Sequence, residues 1–408
     1  MKKESKKMPL FTFGSNGSGQ LGLGHTEDIA IPERCSFDEA TRTAAAAEGE
    51  AEVGREEELD MNMDIVRIVA GGNHTLVLLR DGRVYAAGCN VDGRCGQHHQ
   101  EASSLLRFKP VIITTEDGEI YKAFKNVSAT WEGTFLVASS LHNSNNNEEQ
   151  KDVVLALGSG PKGELGLGTT KPQTTTPKKI PNFPPPNTKI TSLASGMGHT
   201  AAVLSTGEVY GWGGARKGQL GEAAKLRKVV WGPVRVEGVP FSATGVVCGR
   251  EFTVVAGDEE KGEHVVLGSC DDKWGIVSGG PGSISGGDDG GLPPYANICA
   301  GWHAIYIQHE EKNNSSITAW GRNDRGQLPS ADLPNPRMLA VGSEHALALL
   351  DDRTVVAFGW GEHGNCGIET DAQGNVKGRY NKIEVPGIEQ GEIVGVGAGC
   401  ATSWIVTS

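Results

Sequence analysis

Apolar residues in this chain fall into short runs rich in Val, Ile, Leu and Ala, each bounded by Gly or a polar turn. The runs are too short for amphipathic helices and suit strands buried on both faces. Two patterns alternate. The first is an apolar strand ending in Gly and followed by a Gly-rich loop. It reads FTFGSNGSGQLG at 11–22, VYAAGCNVDGRCG at 84–96, LALGSGPKGELG at 155–166, VYGWGGARKGQLG at 209–221, ITAWGRNDRGQLP at 317–329 and VVAFGWGEHGNCG at 355–367. A degenerate copy, VVLGSCDDKWG, stands at 265–275, which makes seven. In six copies a second Gly follows the strand-ending Gly by five residues, so the same backbone turn is expected each time, with positive φ.

The second pattern is a strand, a tight turn and another strand. It reads IVAGGNHTLVLL at 68–79, LASGMGHTAAVL at 193–204 and LAVGSEHALALL at 339–350. Weaker copies at 127–138, 246–256, 298–307 and 396–406 again make seven. Hairpin signals such as Arg80-Asp81-Gly82 and Ser205-Thr206-Gly207 join the two patterns. A fourth strand fits before each next unit. Four short strands repeated seven times predict an all-β, seven-bladed propeller. The sequence starts in the second half of a unit and ends in the first half. The expectation is therefore a last blade closed by strands from both termini, which leaves no open sheet edge.

The 408 residues are read as a single propeller domain, 1–408, with 1–9 as a flexible tail. Segments 38–62, 141–151, 171–188, 278–294 and 371–380 are acidic, Asn/Glu-rich, Pro-rich or Gly/Ser-rich, and are expected to be surface insertions. A formal net charge of -12 disfavours nucleic-acid backbones and anionic membranes, so no direct DNA binding and no membrane association is expected. The eight Cys show no C-x-x-C spacing and read as reduced, mostly buried thiols of an intracellular protein. No signal-peptide or transmembrane run is found, which points to the cytoplasm and also the nucleus. Lys2, Lys3, Lys6 and Lys7 are read as part of a solvated tail rather than a nuclear-localisation patch.

The G-x-x-H-[TA] turn and the FG-x-N-x-x-G-Q-L-G loop resemble the repeats of the regulator of chromosome condensation family, over essentially the whole chain outside the insertions. The opening FGSNGSGQLGLGH at 13–25, with GWGEHGNCG at 359–367 and GCATSWIV at 399–406, is similar to a fungal branch of that family, the alpha-tubulin suppressors or killer-toxin-insensitivity proteins. This resemblance implies a heterodimer with a small CSL-type zinc-finger protein, an electron carrier of diphthamide synthesis on elongation factor 2. It also implies a link to the Elongator machinery and to wobble-uridine modification of tRNA. The zinc or iron is expected on that partner, with no cofactor on this chain. The alternative drawn from the family's namesake is a guanine nucleotide exchange factor for a small GTPase.

No enzyme is expected. There is no G-x-x-x-x-G-K-[ST] and no G-x-S-x-G, and Gly158 to Gly163 is followed by Glu164. His74, His199, His303 and His345 occupy the repeated turn and are read as turn-stabilising residues, spread around a ring and so unable to converge on a metal. The candidate partner-binding residues are those that break the repeat with bulk or charge. Trp131, Trp302, Arg250 and Glu251 do so in the turns, with Trp302 matched to Asn73, and Trp360, Glu362 and His363 do so in one Gly loop. Exposed Trp and Arg at propeller loop tips are typical interface anchors. The alternative for each Trp is packing against its own neighbouring blade. Trp212, Trp320 and Trp404 are assigned to the core.

Overall fold

The computed structural model describes residues 10–38, 64–96, 102–139, 151–168, 173–281, 292–311 and 314–408. Seven antiparallel sheets follow one another, and the inner strand of each touches the inner strand of the next until the last meets the first. This is the seven-bladed propeller. Blade 1 contains Ile65–Ala70, His74–Leu79, Val84–Cys89 and Ser104–Pro110, from the centre outward. Blades 2, 3 and 6 repeat that order, starting at Asn126–Ala129, Ile190–Ser195 and Pro336–Val341. Blade 7 takes its inner strands, Ile393–Ala398 and Thr402–Thr407, from the C-terminal end, and its outer strands, Leu10–Gly14 and Ile29–Arg34, from the N-terminal end. Leu10 pairs with Val406 and Gly14 with Thr402, so the ring closes by hydrogen bonds between the two ends of the chain.

The second strands are buried along their whole length, as in His74–Leu79, His199–Leu204 and His345–Leu350. Each faces a neighbouring blade on both sides, which is why these strands show no apolar-polar alternation. Large side chains bridge blades. Phe135 of blade 2 meets Trp212 of blade 3 edge to face at 5.5 Å, and Trp404 of blade 7 packs with Tyr85 and Phe108 of blade 1.

The register of the repeat is fixed at the strand-ending Gly. The residue after it donates its N–H to a turn carbonyl in all seven blades, at Asn73, Glu132, Gly198, Glu251, His303, Glu344 and Ala401. The seven glycines themselves, from Gly14 (φ 112°) to Gly359 (φ 108°), lie in the left-handed region that favours glycine.

Several loop expectations are corrected. Blade 2 draws its outer strand, Gln173–Lys179, from within 171–188, and Phe183 of the same segment is buried against Trp212. Blade 6 draws its outer strand, Asn375–Ile383, partly from 371–380, with Val376 fully buried. Leu292, inside 278–294, belongs to the core between blades 4 and 5. Proline and polar residues pointed to loops there, but an outer strand has one edge free of hydrogen bonding and tolerates both. Conversely, blades 4 and 5 have three strands rather than four among the described residues. Residues 1–9, 39–62, 141–150 and 282–291 lie outside the described residues. Among the described residues no helix is long and apolar enough to cross a membrane.

Candidate functional site

Strand direction decides which loops share a face. Each inner strand ends in the tight turn, the second strand runs back, and the third returns to the same end and enters the Gly loop. All seven turns and all seven Gly loops therefore emerge on one face, and so do all the predicted partner-binding residues. The hairpins between second and third strands emerge on the opposite face.

Around the mouth of the central channel the turns hold one another through the backbone. Gly72 donates to the carbonyl of Trp131 (2.9 Å), Trp131 to Met197 (3.0 Å), Arg250 to Trp302 (3.0 Å), Trp302 to Ser343 (2.8 Å) and Ser343 to Gly399 (2.9 Å). Three turn histidines add side-chain clamps to the next blade. His74 Nε2 is 2.9 Å from Thr134 Oγ1, His199 Nε2 is 2.9 Å from Thr253 Oγ1, and His345 Nε2 is 2.9 Å from Ser403 Oγ. Burial pushes His74 down to about 3 and His199 and His345 to about 4, so all three are neutral imidazoles.

His303 is a correction. Its turn is as long as that of blade 1, since Ala300 pairs with Ile305 as Ala70 pairs with Thr75, but the histidine comes one position earlier, and Ala304, not His303, pairs with the strand-ending Gly321 as His74 pairs with Gly88. His303 stands where blade 1 has Asn73, and Trp302 stands where it has Gly72, not Asn73. Freed from the clamp position, His303 points its Nδ1 at Glu344, 3.5 Å away.

That register places Trp131 of blade 2 and Trp302 of blade 5 over the channel mouth, where their rings meet at 5.7 Å and 46°. Both are half-buried. They pack on each other across the ring as well as on neighbouring blades, Trp131 with its ring against Gly72 of blade 1. The exposed Arg250 lies over the Trp302 ring at 5.4 Å. Two further pairs continue the pattern outward, Arg322 over Trp274 at 5.1 Å and Arg325 over Trp360 at 5.0 Å. A guanidinium on an indole face is held by the ring quadrupole, and that of Arg322 also donates to Asp324.

Two of the three Arg–Trp pairs are tied together by Glu344, which accepts from Arg322 at 2.6 Å and lies 3.9 Å from Arg325. Burial works against its charge, but His303 and the two arginines outweigh that and hold the carboxyl below its usual range. Trp360 donates through Nε1 to Glu362 at 3.1 Å and meets His363 edge to face at 5.3 Å. His363 Nδ1 is 2.7 Å from Asp28 of blade 7, a contact across the closing seam. Glu251 lines a small hollow with Arg250, Trp274 and Trp302, and lies 4.0 Å from Lys217. Trp274, Arg322, Arg325, Glu344 and Asp28 were not singled out in the sequence. Trp274 sits in the degenerate loop, and Arg322 and Arg325 look like ordinary loop-tip charges until the ring brings them beside Trp274 and Trp360.

Among the described residues no cluster of three or more His, Cys, Asp or Glu could hold a metal. All eight thiols are free, and burial raises those of Cys248 and Cys400 to about 12 and that of Cys299 to about 11. Only Cys270 is exposed.

Residues 9–405 match the family model described as the RCC1-like domain. An RCC1 repeat-containing protein of Schizosaccharomyces pombe is 28% identical, over 97% of this chain and 98% of that protein. The secretion-regulating guanine nucleotide exchange factor of Mus musculus is 26% identical, over 89% of this chain and 76% of that protein. The solved structure of human WBSCR16 superposes with a TM-score of 0.69 at 15% identity, covering 98% of this chain and all of that one. Prp20p of Saccharomyces cerevisiae, whose structure was described with its binding to Gsp1p and histones, gives 0.68 at 18%, over 99% of this chain and 93% of that one.

Proposed function

The chain belongs to the RCC1-like domain family, and from that premise we propose that it is a non-catalytic propeller whose turn-and-loop face docks a small metal-carrying CSL-type zinc-finger protein. In this reading the pair supports diphthamide synthesis on elongation factor 2 and Elongator-dependent modification of the tRNA wobble uridine, in the cytoplasm and the nucleus. The metal belongs to the partner. The observation that carries a docking role is the arc of Arg–Trp pairs Arg250/Trp302, Arg322/Trp274 and Arg325/Trp360 on one face. Trp and Arg are the residues most often found at interface hot spots. The choice of partner rests on the likeness of GWGEHGNCG and GCATSWIV to the fungal branch.

A second reading, exchange factor for a small GTPase, is favoured by the name of the murine relative. Nucleosome contact, which the family's namesake requires, suits a chain of net charge -12 poorly.

Calorimetry with the purified zinc-finger protein tests the first reading. Trp360→Ala and His363→Ala are each expected to weaken binding about tenfold or more, with the urea midpoint of the ring unchanged. Unchanged affinity in both variants removes this face as the interface. Acceleration of labelled-GDP release from a Ran-type GTPase by the wild-type chain would favour the second reading instead.

A further inference from the structure

Beside the Arg–Trp arc, on the same face, blades 2, 3 and 4 enclose an open cleft of about 750 Å³. Its walls carry five cations, Lys162, Arg216, Lys217, Lys228 and Arg250, against three acids, Glu132, Glu164 and Glu251. A local excess of positive charge is unusual in a chain whose acidic residues outnumber its basic ones 50 to 38. Three of the five cations are not spent on ion pairs or on an aromatic ring. Lys217 pairs with Asp271 at 2.7 Å and Arg250 rests on Trp302. Lys162, Arg216 and Lys228 are exposed and form no ion pair among the described residues. Lys228 is held at φ 62° just past the short helix Glu222–Arg227, a conformation that glycine adopts more cheaply than lysine.

Trp131 and Met197 add apolar surface to the lining of the cleft. Trp131 also belongs to the channel-mouth pair, so the cleft and the arc form one continuous surface. Clefts lined by one sign of charge concentrate ligands of the other sign. Such apolar lining suits a polypeptide side chain better than a bare phosphate. We propose that this cleft binds an acidic polypeptide segment of the docking partner, its carboxylates toward Lys162, Arg216 and Lys228 and an apolar side chain toward Trp131 and Met197. The proposal rests on the reading of this face as a protein-docking surface and adds the chemistry of the segment.

The probe is a short fluorescein-labelled poly-glutamate peptide titrated with the full chain and followed by fluorescence polarisation. The double variant Lys162→Glu/Arg216→Glu is expected to weaken binding about tenfold or more, and raised salt to weaken the wild type. A control double variant, Lys122→Glu/Lys189→Glu, changes net charge equally at exposed positions just before inner strands, on the opposite face, and is expected to bind as the wild type does. No binding of the peptide by the wild type overturns the proposal, as does equal loss in both double variants. Preference for a single-stranded RNA oligomer over the peptide overturns it too, by making the cleft a nucleic-acid site. Trp360→Ala lies outside the cleft and leaves peptide binding intact. If that variant loses the zinc-finger protein while wild-type chain ignores the peptide, the docking face stands and the acidic segment falls.

Discussion

His199 shows how one residue type serves assembly rather than chemistry. A histidine repeated in a loop invites a catalytic or metal reading, yet its Nε2 faces a threonine of the next blade at 2.9 Å in full burial. His74 and His345 do the same for Thr134 and Ser403. Removing the imidazole leaves a cavity and a buried hydroxyl without that partner, so His199→Ala is expected to cost about 2–4 kcal/mol of stability. The clamps also set a pH dependence. Their folded values, about 3 to 4, lie below the ordinary 6.5, so the unfolded chain takes up protons that the folded ring refuses. Their contribution is therefore complete above pH 6.5 and is lost as pH falls through the interval down to about 4 for His199 and His345, and about 3 for His74. Urea midpoints measured across that interval check this. The triple variant His74→Gln/His199→Gln/His345→Gln should show a flatter profile than the wild type. Identical slopes would assign the acid sensitivity to carboxylates.

At the scale of the strand and its loop, the fixed glycines explain why the repeat can be read at all. Gly359 ends the third strand of blade 6 with φ 108°, and a Cβ there would sit 2.6 Å from the carbonyl oxygen of Glu344 and 2.7 Å from the Cα of His345. Gly359→Ala is expected to cost about 2–4 kcal/mol, through both strain and that overlap. The lower urea midpoint should come with a lost or displaced Glu344 turn. Because Glu344 holds Arg322 and Arg325, the same substitution should also weaken partner binding, whereas Gly378→Ala, with nothing within 4 Å of its Cβ, should spare it. Such backbone demands leave a mark on sequence, so the strand-ending glycines, the hairpins and the buried Trp212, Trp320 and Trp404 were legible. Outer strands were less so. Asn375–Ile383 is half-solvated, and both it and Gln173–Lys179 carry the polar residues of a loop. The site was legible only in part. Trp131, Trp302 and Trp360 stand out because they break the repeat, but the place of His303 one position before the clamp, in a turn of unchanged length, was settled by strand pairing. Which Arg lies over which Trp depends on neighbouring blades far apart in sequence.

For the whole molecule the deciding feature is how the ring is closed. Blade 7 joins Leu10–Gly14 to Thr402–Thr407 along five paired residues, with Thr12 Oγ1 donating to the Ser403 carbonyl at 3.1 Å. His363 and Asp28 bring the loops of blades 6 and 7 together over the same seam. A ring whose closing blade is stitched from both ends cannot open between two blades without also breaking a sheet, whereas a ring with seven whole blades can. This predicts an asymmetry between circular permutants in which residues 10 and 408 are joined by a flexible linker. Opening at the Ser205–Gly207 hairpin stitches blade 3 from both ends, as blade 7 is in the native chain. Opening at 237–242, between blades 3 and 4, leaves every blade covalently whole. The first permutant should unfold in a single urea transition near the native midpoint. The second should unfold at lower urea and aggregate more readily, because its separated blades expose apolar faces that carry Val203 and Val209 on one side and Val246 and Val255 on the other. Equal midpoints for the two would mean that packing between blades alone closes the ring and that the shared blade adds nothing to its stability.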